Sequence, residues 1–458
     1  MLLENYTSLL QEGWHDVFAQ HRTHHRAVEH ALTLPMVMGR RTISRTICCM
    51  DRAQQDWTAD YKLFSRSGWQ TEGLFAPVLI HYLDRYPKGP IGIAFDDTKV
   101  PRSGKKVPGS SWQRDPMSPP FHVNFVHGLR FIQGSLLFPL YRNEGVGARA
   151  LPVRFENSPV VKKPGKRATQ EQKQAYYQLK KTQNLSTHTV RLVEGLRHQL
   201  DELGGRDRDL LAVADGAFCN RTMFRPRLDR IRLLARCRKD ARLCMPAPKG
   251  GRRKYAAEIF TPEQVRRDAR IGWKRARIHY AGKRRWIRYK VLTNVLWRRG
   301  AGTRPLRLIV IAPQPYKLSI HSRTNYREPA YLLTTDLTTP VSLLIQHYFD
   351  RWQIEVNHRD EKSSLGVGQA QVWSPLSVPR QPAFAVASYS MLWLAALQTF
   401  GPHRTEQFCP LPKWRKKTPR YSTLDLLTLL RKEINNETSV SDCLSTNVPQ
   451  NLMRYAYT

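Results

Sequence analysis

The chain has 458 residues, and its 74 Lys and Arg against 37 Asp and Glu leave a formal charge of +37; a chain of this length can bury a large core and fold as several domains. Such a cationic excess points to an anionic partner, most often nucleic acid, because each phosphate contacted releases condensed counterions. No apolar leader opens the chain and no uninterrupted apolar run of about 18 residues occurs, and the seven cysteines have neither disulfide-framework nor zinc-ligand spacing, so the expectation is a soluble cytosolic protein with reduced thiols and no membrane partner.

Residues 1–86 read as helices. Apolar side chains recur near a 3.6 period over residues 2–26, and Pro35 interrupts them. His21, His24, His25 and His30 could hold a metal at helical spacing, or simply form a basic, partly exposed helix face. Short helices bearing Arg40, Arg41, Arg45, Lys62 and Arg66 suit either a helix-turn-helix-like DNA reader or a helical platform with a solvated basic face.

From Pro87 the pattern turns to strand. Residues 91–95 are a short apolar strand with Asp96 and Asp97 at its end. The basic loop that follows, with Lys99, Arg102, Lys105 and Lys106, could neutralise phosphates beside an acid, although Asp-Asp-Thr can equally be a turn bonding its own backbone. Strand parity puts Asp97 on the face of Ile91, Ile93 and Phe95 but does not choose between the two acids. Residues 121–143 read as two further strands with Gly128 or Gly134 near a bend, and residues 162–204 as a basic linker that becomes a long amphipathic helix. Residues 210–214 form a buried-type strand, and Asp215 follows it, where open α/β sheets place their chemistry. A lone Asp-Gly is otherwise most often a turn.

Residues 221–300 hold 26 Lys or Arg and 5 Asp or Glu, a local charge of +21. Cations such as Arg284, Arg285 and Arg288 can track phosphates. Interleaved rings such as Trp286 and Trp297 can stack on unpaired bases, each stack worth about 1–3 kcal/mol, while one or two of the tryptophans here fit a core instead. Strand-like patterns at residues 275–295 and 306–312 make this a β-rich insertion, and residues 331–335 are another strand. A helix then starts near Thr339, a possible cap, with Pro340 at its first position. At roughly 100° per residue Tyr348, Arg351, Glu355, Arg359 and Lys362 share one face, while Leu344, Phe349, Trp352 and Val356 can face a core. Taken alone, that face could be a solvated salt-bridge stripe. Beyond it come an irregular Gly-containing loop, an apolar helix at residues 382–400 that packs under the sheet, a proline-rich basic linker and a last helix at residues 424–434.

The spacing of Tyr348, Arg351, Glu355 and Lys362 resembles the tyrosine-arginine-glutamate-lysine signature of bacterial insertion-sequence transposases of the DDE superfamily. The resemblance implies an α/β fold: an RNase H-like catalytic core with a β-rich insertion between the second Asp and the Glu, preceded by a helical N-terminal DNA-binding region. The segments expected are residues 1–86 for that region, 87–225 for the first part of the core, 226–325 for the basic insertion, 326–400 for the second part of the core, and 401–458 for a C-terminal basic linker and helix.

The resemblance also implies catalytic, metal-holding acids in the order Asp97, Asp215 and Glu355, separated by 118 and 140 residues. In the family the first acid directly precedes a Thr, which selects Asp97 and keeps Asp96 as a second candidate. Three carboxylates suit two Mg²⁺ ions, with Mn²⁺ able to substitute. Tyr348, Arg351 and Lys362 would contact phosphates near the scissile bond, and Arg284, Arg285, Arg288, Trp286, Trp297, Lys105, Lys106, Arg41 and Arg45 are further DNA-contact candidates. The implied protein is a transposase in the bacterial cytoplasm, held at the nucleoid by DNA. Working as a homodimer on double-stranded DNA, transposon ends and target alike, it cleaves the ends with water and transfers the freed 3′-hydroxyl to the target. The alternatives are a metal-dependent nuclease of the same fold without strand transfer, and a domesticated DNA-binding protein that has lost the chemistry.

Overall fold

The computed structural model describes residues 1–435 except 116, 117, 120, 141–146, 249, 320, 416 and 417. The end of the strand expected up to residue 143, and residues 436–458 of the expected C-terminal segment, lie outside the described residues.

The chain opens with helices α1 (Leu2–Gly13), α2 (His21–Thr33), α3 (Ile43–Cys49), α4 (Thr58–Ser65) and α5 (Ala76–Arg85). Strands β1 (Ile91–Pro101), β2 (Ser111–Arg114), β3 (Phe125–Phe138) and β4 (Arg149–Asn157) follow, then helices α6 (Gln170–Thr182) and α7 (Leu185–Glu202). Next are β5 (Leu210–Ala214), the short α8 (Arg221–Phe224), β6 (Ile231–Arg236), β7 (Leu243–Pro246), β8 (Tyr255–Phe260) and α9 (Pro262–Arg267). The insertion continues with β9 (Lys274–Tyr280), β10 (Lys283–Leu296), β11 (Pro305–Ile311), β12 (Gln314–Tyr316), β13 (Asn325–Arg327) and β14 (Ala330–Thr334). Helices α10 (Val341–Asp350), α11 (Gln353–Ser364), α12 (Ser377–Phe400) and α13 (Thr423–Asn435) close the described chain.

One mixed sheet organises the molecule. Its central order is β4-β3-β1-β5-β6, with β3 antiparallel to β1 and with β1, β5 and β6 mutually parallel. That is the order and direction of an RNase H-like core. Most of the insertion extends the core sheet: β14 pairs antiparallel with β6, and β11, β10, β7 and β8 continue the same sheet outward, with β9 hairpinned onto β10, while β12 and β13 form a separate two-stranded sheet. Strand β6 falls inside the segment expected to be insertion, yet it pairs in parallel register with β5 as the fifth core strand.

Several local expectations change. Strand β1 runs on to Pro101, because its pairing with β3 continues through Asp96 opposite Gln133 to Pro101 opposite Gly128. The described residues of 121–140 contain one long strand, β3; the irregularity is a bulge between Gly134 and Ser135 in its pairing with β4. The long helix expected before Gly204 is two, because the Asn184 side chain accepts from Thr187 N at 3.0 Å and restarts the backbone as α7. The His cluster turns largely inward: His24 and His30 are buried, and His30 Nε2 meets Asp60 Oδ1 at 2.9 Å.

The signature helix is also two helices. Asp336 Oδ1 accepts from Thr338 N and Thr339 N at 2.9 and 2.8 Å, so the chain turns there and α10 begins after Pro340, without a side-chain cap. Between α10 and α11 the N–H groups of Trp352, Ile354 and Glu355 bond to carbonyls three residues back, a tighter turn than the α-helix. Leu344 and Ile354 therefore stay in the core, while Trp352, expected inside, is 56% exposed.

Alternation along the strands separates two apolar layers. Ile91, Ile93, Phe95 and Leu210 join a cluster with Leu192, Val193 and Leu196 of α7. Ala94, Leu211, Val213 and Leu234 join another with Leu344 and Ile345 of α10 and Ile354 of α11. Gly92 belongs to this second face: a Cβ there would lie 2.6 Å from the His347 ring, so α10 packs this closely only over a glycine. Helix α12 is long and apolar enough to cross a membrane, but 83% of that window is buried inside the fold, against β4 and α1. Ser390 Oγ donates to Pro152 O of β4 at 2.7 Å, and Tyr6 OH bridges Ala31 O and Ser388 O.

Candidate active site

The two layers decide which acids meet. On β1 the face of Gly92 and Ala94 continues to Asp96, and on β5 the face of Leu211 and Val213 continues to Asp215. Both acids thus stand at the rim of the face covered by α10 and α11, which carries Glu355. Asp97 has the opposite parity, that of Ile91, Ile93 and Phe95 on the α7 side. Arg351 ties the cluster together: its Nη2 donates to Glu355 Oε1 at 3.2 Å, and its Nη1 stands 3.8 Å from Asp96 Oδ2. Asp215 Oδ1 accepts from Ala217 N at 2.8 Å, so the turn reading of Asp-Gly describes its local geometry while its strand-end position serves the rim.

Electrostatics couples these acids to one another. Burial, and then the charge of Asp215, push the Asp96 carboxyl up to about 7 against the pull of Arg351. Burial also raises Glu355, opposed by Arg351, with Asp215 adding to the rise. Asp97 is raised by burial too; Arg130 and Lys99 pull it down while Asp215 adds to the rise, so the Asp215 charge reaches both acids of β1. Burial lowers the Lys362 ammonium against the opposing charges of Glu361 and Asp97, which places Lys362 in the field of Asp97. Arg351 Nε and Nη1 are buried without a hydrogen-bond partner among the described residues. Beneath the site, burial pushes the Glu361 carboxyl up to about 8, although Gln133 Nε2 donates to it at 2.9 Å.

Asp96, Asp215 and Glu355 offer only carboxylate oxygens, the donor set of hard divalent cations. Among the described residues no three His, Cys, Asp or Glu side chains are drawn together tightly enough to enclose an ion; the Arg351 guanidinium bridges Asp96 and Glu355. The donor set nonetheless fits a metal: the Asp215 charge raises the Asp96 and Glu355 carboxyls, and a cation among the three would offset that repulsion.

A groove of about 1200 Å³ opens from this rim, lined by Asp215, Tyr348, Arg351, Trp352 and Glu355 and by the cations Arg236, Arg238, Lys239, Arg266 and Arg267; Asp240, paired with Arg238, and Glu263, paired with Arg266 and Arg267, line it as well. Sequence reasoning counted those five cations among the phosphate-tracking ones of residues 221–300 but did not set them beside the acids. Arg236, Arg238 and Lys239 lie at and just beyond the C-terminal end of β6, a parallel strand, which is where the strand-end rule that found Asp215 would have pointed had β6 been recognised.

The other expected DNA contacts divide. Lys105 and Lys106 are exposed in the loop after β1. Arg284, Trp286 and Arg288 share the outer face of the β9–β10 hairpin, with Trp286 67% exposed, while Arg285 has the parity of buried Ile287. Trp297 is instead packed edge-on against Phe224, ring centroids 5.8 Å apart, as a core residue. Arg45 is exposed and donates to Met38 O, whereas Arg41 is buried, its backbone N–H bonded to Gln369 Oε1. Arg102 is buried as well: its Nη1 donates to Gly368 O and Ala370 O at 3.1 and 2.6 Å, holding the loop after α11 against the strand that carries Asp96.

A sheet in this order, with acids just past the point where the pairing of its first and fourth core strands ends and a third on the helix that follows the insertion, defines an RNase H-like nucleic-acid-processing core. The chain belongs to the DDE superfamily endonucleases: the profile of that family matches residues 15–304, a span that contains Asp96, Asp97 and Asp215 and ends before Glu355. Members act on phosphodiester bonds of DNA with divalent metal ions. Comparison with the curated proteins gives no match.

Proposed function

We propose that this endonuclease is a transposase whose acids are Asp96, Asp215 and Glu355, and that it cleaves transposon ends and joins them to target DNA. The observation that carries the reading is the convergence of these three carboxylates on one rim beside the complete set Tyr348, Arg351, Glu355 and Lys362, with a groove leading away past Arg236 and Lys239. Two Mg²⁺ or Mn²⁺ ions bound there supply activation of the attacking oxygen and charge stabilisation of the leaving one. The chain's own groups do the positioning. Arg351, whose Nε and Nη1 make no hydrogen bond among the described residues although Nη1 is ion-paired with Asp96, holds a phosphate oxygen beside Glu355. Exposed Trp352 offers a ring to a base at the cut. Lys362, in the field of Asp97, neutralises the strand on the other side of Asp96. A homodimer pairs two ends in this reading.

The test uses duplex DNA carrying the sequences that flank the gene, uncut or pre-cleaved to a free 3′-hydroxyl. Asp96→Asn, Asp215→Asn and Glu355→Gln should lose Mg²⁺-dependent cleavage with binding in gel shifts retained, and Asp97→Asn should keep measurable cleavage. Loss in Asp97→Asn with retention in Asp96→Asn would return the first role to Asp97. Pre-cleaved ends should be joined to unrelated duplex; if uncut ends are cut but pre-cleaved ends are never joined, the enzyme is a nuclease without strand transfer.

A further inference from the structure

Helix α6 has no evident task within the fold. None of its residues is buried, and Tyr177 and Leu179 are 66% and 44% exposed. A helix of 13 residues is marginal in water unless tertiary packing supports it, and this one is supported at its ends instead. Thr169 and Gln172 form a reciprocal cap at its start, and Asn184 caps the next helix two residues beyond its end. Lys173, Tyr176, Tyr177 and Lys180 fall on one side at helical spacing, with Lys180 over the Tyr176 ring at 5.8 Å. The segment leading in adds exposed Lys162, Lys163, Lys166 and Arg167.

Its place in the fold gives this charge a use. The C-terminal end of α6 runs into the start of α7, and there Asn220 Nδ2 donates to Ser186 Oγ at 2.7 Å. Asn220 lies five residues beyond Asp215, so α6 departs from the same rim on which the acids stand. It is not part of the groove at the acids, whose cations come from β6, its following loop and α9. Thirteen residues span about 20 Å, roughly six base pairs at 3.4 Å each.

We propose that residues 162–182 are an arm that lies along the sugar-phosphate backbone of duplex DNA outside the catalytic groove, extending the footprint away from the cut. The lysines contact phosphates and the tyrosines pack on the backbone between them. The inference rests on the DNA-cleaving reading of the rim but not on the choice of acids or on strand transfer. Because the arm buries nothing, its side chains can be changed without touching the core.

The experiment measures affinity for a long duplex of unrelated sequence against salt, comparing the full-length protein with Lys173→Gln/Lys180→Gln/Lys181→Gln and with the corresponding triple Arg variant. The Gln variant should lower the slope of log K against log salt by about 2.7, at about 0.9 per lost phosphate contact on duplex DNA, and the Arg variant should restore it. Hydroxyl-radical footprints should shorten on one side only in the Gln variant. An unchanged slope and footprint in a Gln variant that binds would overturn the arm while leaving the catalytic reading intact. A Gln variant that instead loses self-association without DNA would overturn it in favour of a second copy as the occupant. Failure of the unmodified protein to bind duplex at all would overturn both readings.

Discussion

Glu361 is a carboxyl with 1% exposure, and desolvation holds it protonated up to about 8. Its folded pKa lies above its unfolded value near 4.5, so the folded state binds the extra proton between those two pH values. Its contribution is therefore intact below about 4.5, erodes as pH rises through 8, and is lost above. Glu361→Gln should match the parent at pH 5 and exceed it at pH 9 by on the order of a few kcal/mol, read from denaturant midpoints; a gap that does not widen with pH would mean that Glu361 is ionised when buried. At Gly92 the reverse holds, since a methyl group would meet the buried His347 ring. Gly92→Ala should cost about 1–3 kcal/mol by overpacking and, by lifting α10 from β1, should weaken cleavage as well; an unchanged melting temperature would show that α10 has slack.

At the scale of elements, the β9–β10 hairpin is built for two purposes by strand parity. Ile278 and Ile287 face the cluster that holds α10, and Arg284, Trp286 and Arg288 face away. Reversing the charge of Arg284 and Arg288 should lower the salt slope of duplex binding by about 1.8, and Trp286→Ala should cost about 1–3 kcal/mol on single-stranded DNA with little change on duplex. An unaltered slope would mean that this face looks only into solvent. Most elements here were legible: the β5 bounds match residues 210–214, and β14, α12 and α13 fall where apolar period and length put them. The break between α10 and α11 was not, because Tyr348 to Lys362 fits a continuous 3.6 period; a short run of three-residue-back hydrogen bonds leaves no compositional trace.

Over the whole molecule, one hydrophobic cluster runs from Leu2 and Trp14 through Phe95 and Leu196 to Trp393 and Leu430. The backbone N–H groups of Leu2 and Leu3 bond to the Glu433 carboxylate, at 3.2 and 2.7 Å, so the first helix is also tied to the last. Thermal unfolding should accordingly be one cooperative transition, and removal of residues 1–86 should leave the sheet unable to fold by exposing α12. Two well-separated calorimetric peaks would show that the N-terminal helices are an independent unit.

What the sequence alone determined is what depends on local order: the charge that names an anionic partner, the apolar periods of the core strands and of α12, the strand end at Asp215, and the spacing of Tyr348, Arg351, Glu355 and Lys362. Only the tertiary structure decided what depends on which faces meet. Asp96 and Asp97 are neighbours with identical chemistry, and period-two alternation sends them to opposite sides of the sheet; nothing local says which side α10 and α11 cover. The same ignorance of partners sent Arg102 and Trp297 to the DNA in the sequence reading. An exposed cation and a buried one, or a stacking ring and a packed one, have the same letters, and the surrounding fold alone supplies the carbonyls of Gly368 and Ala370 or the edge of Phe224 that settle which each one is.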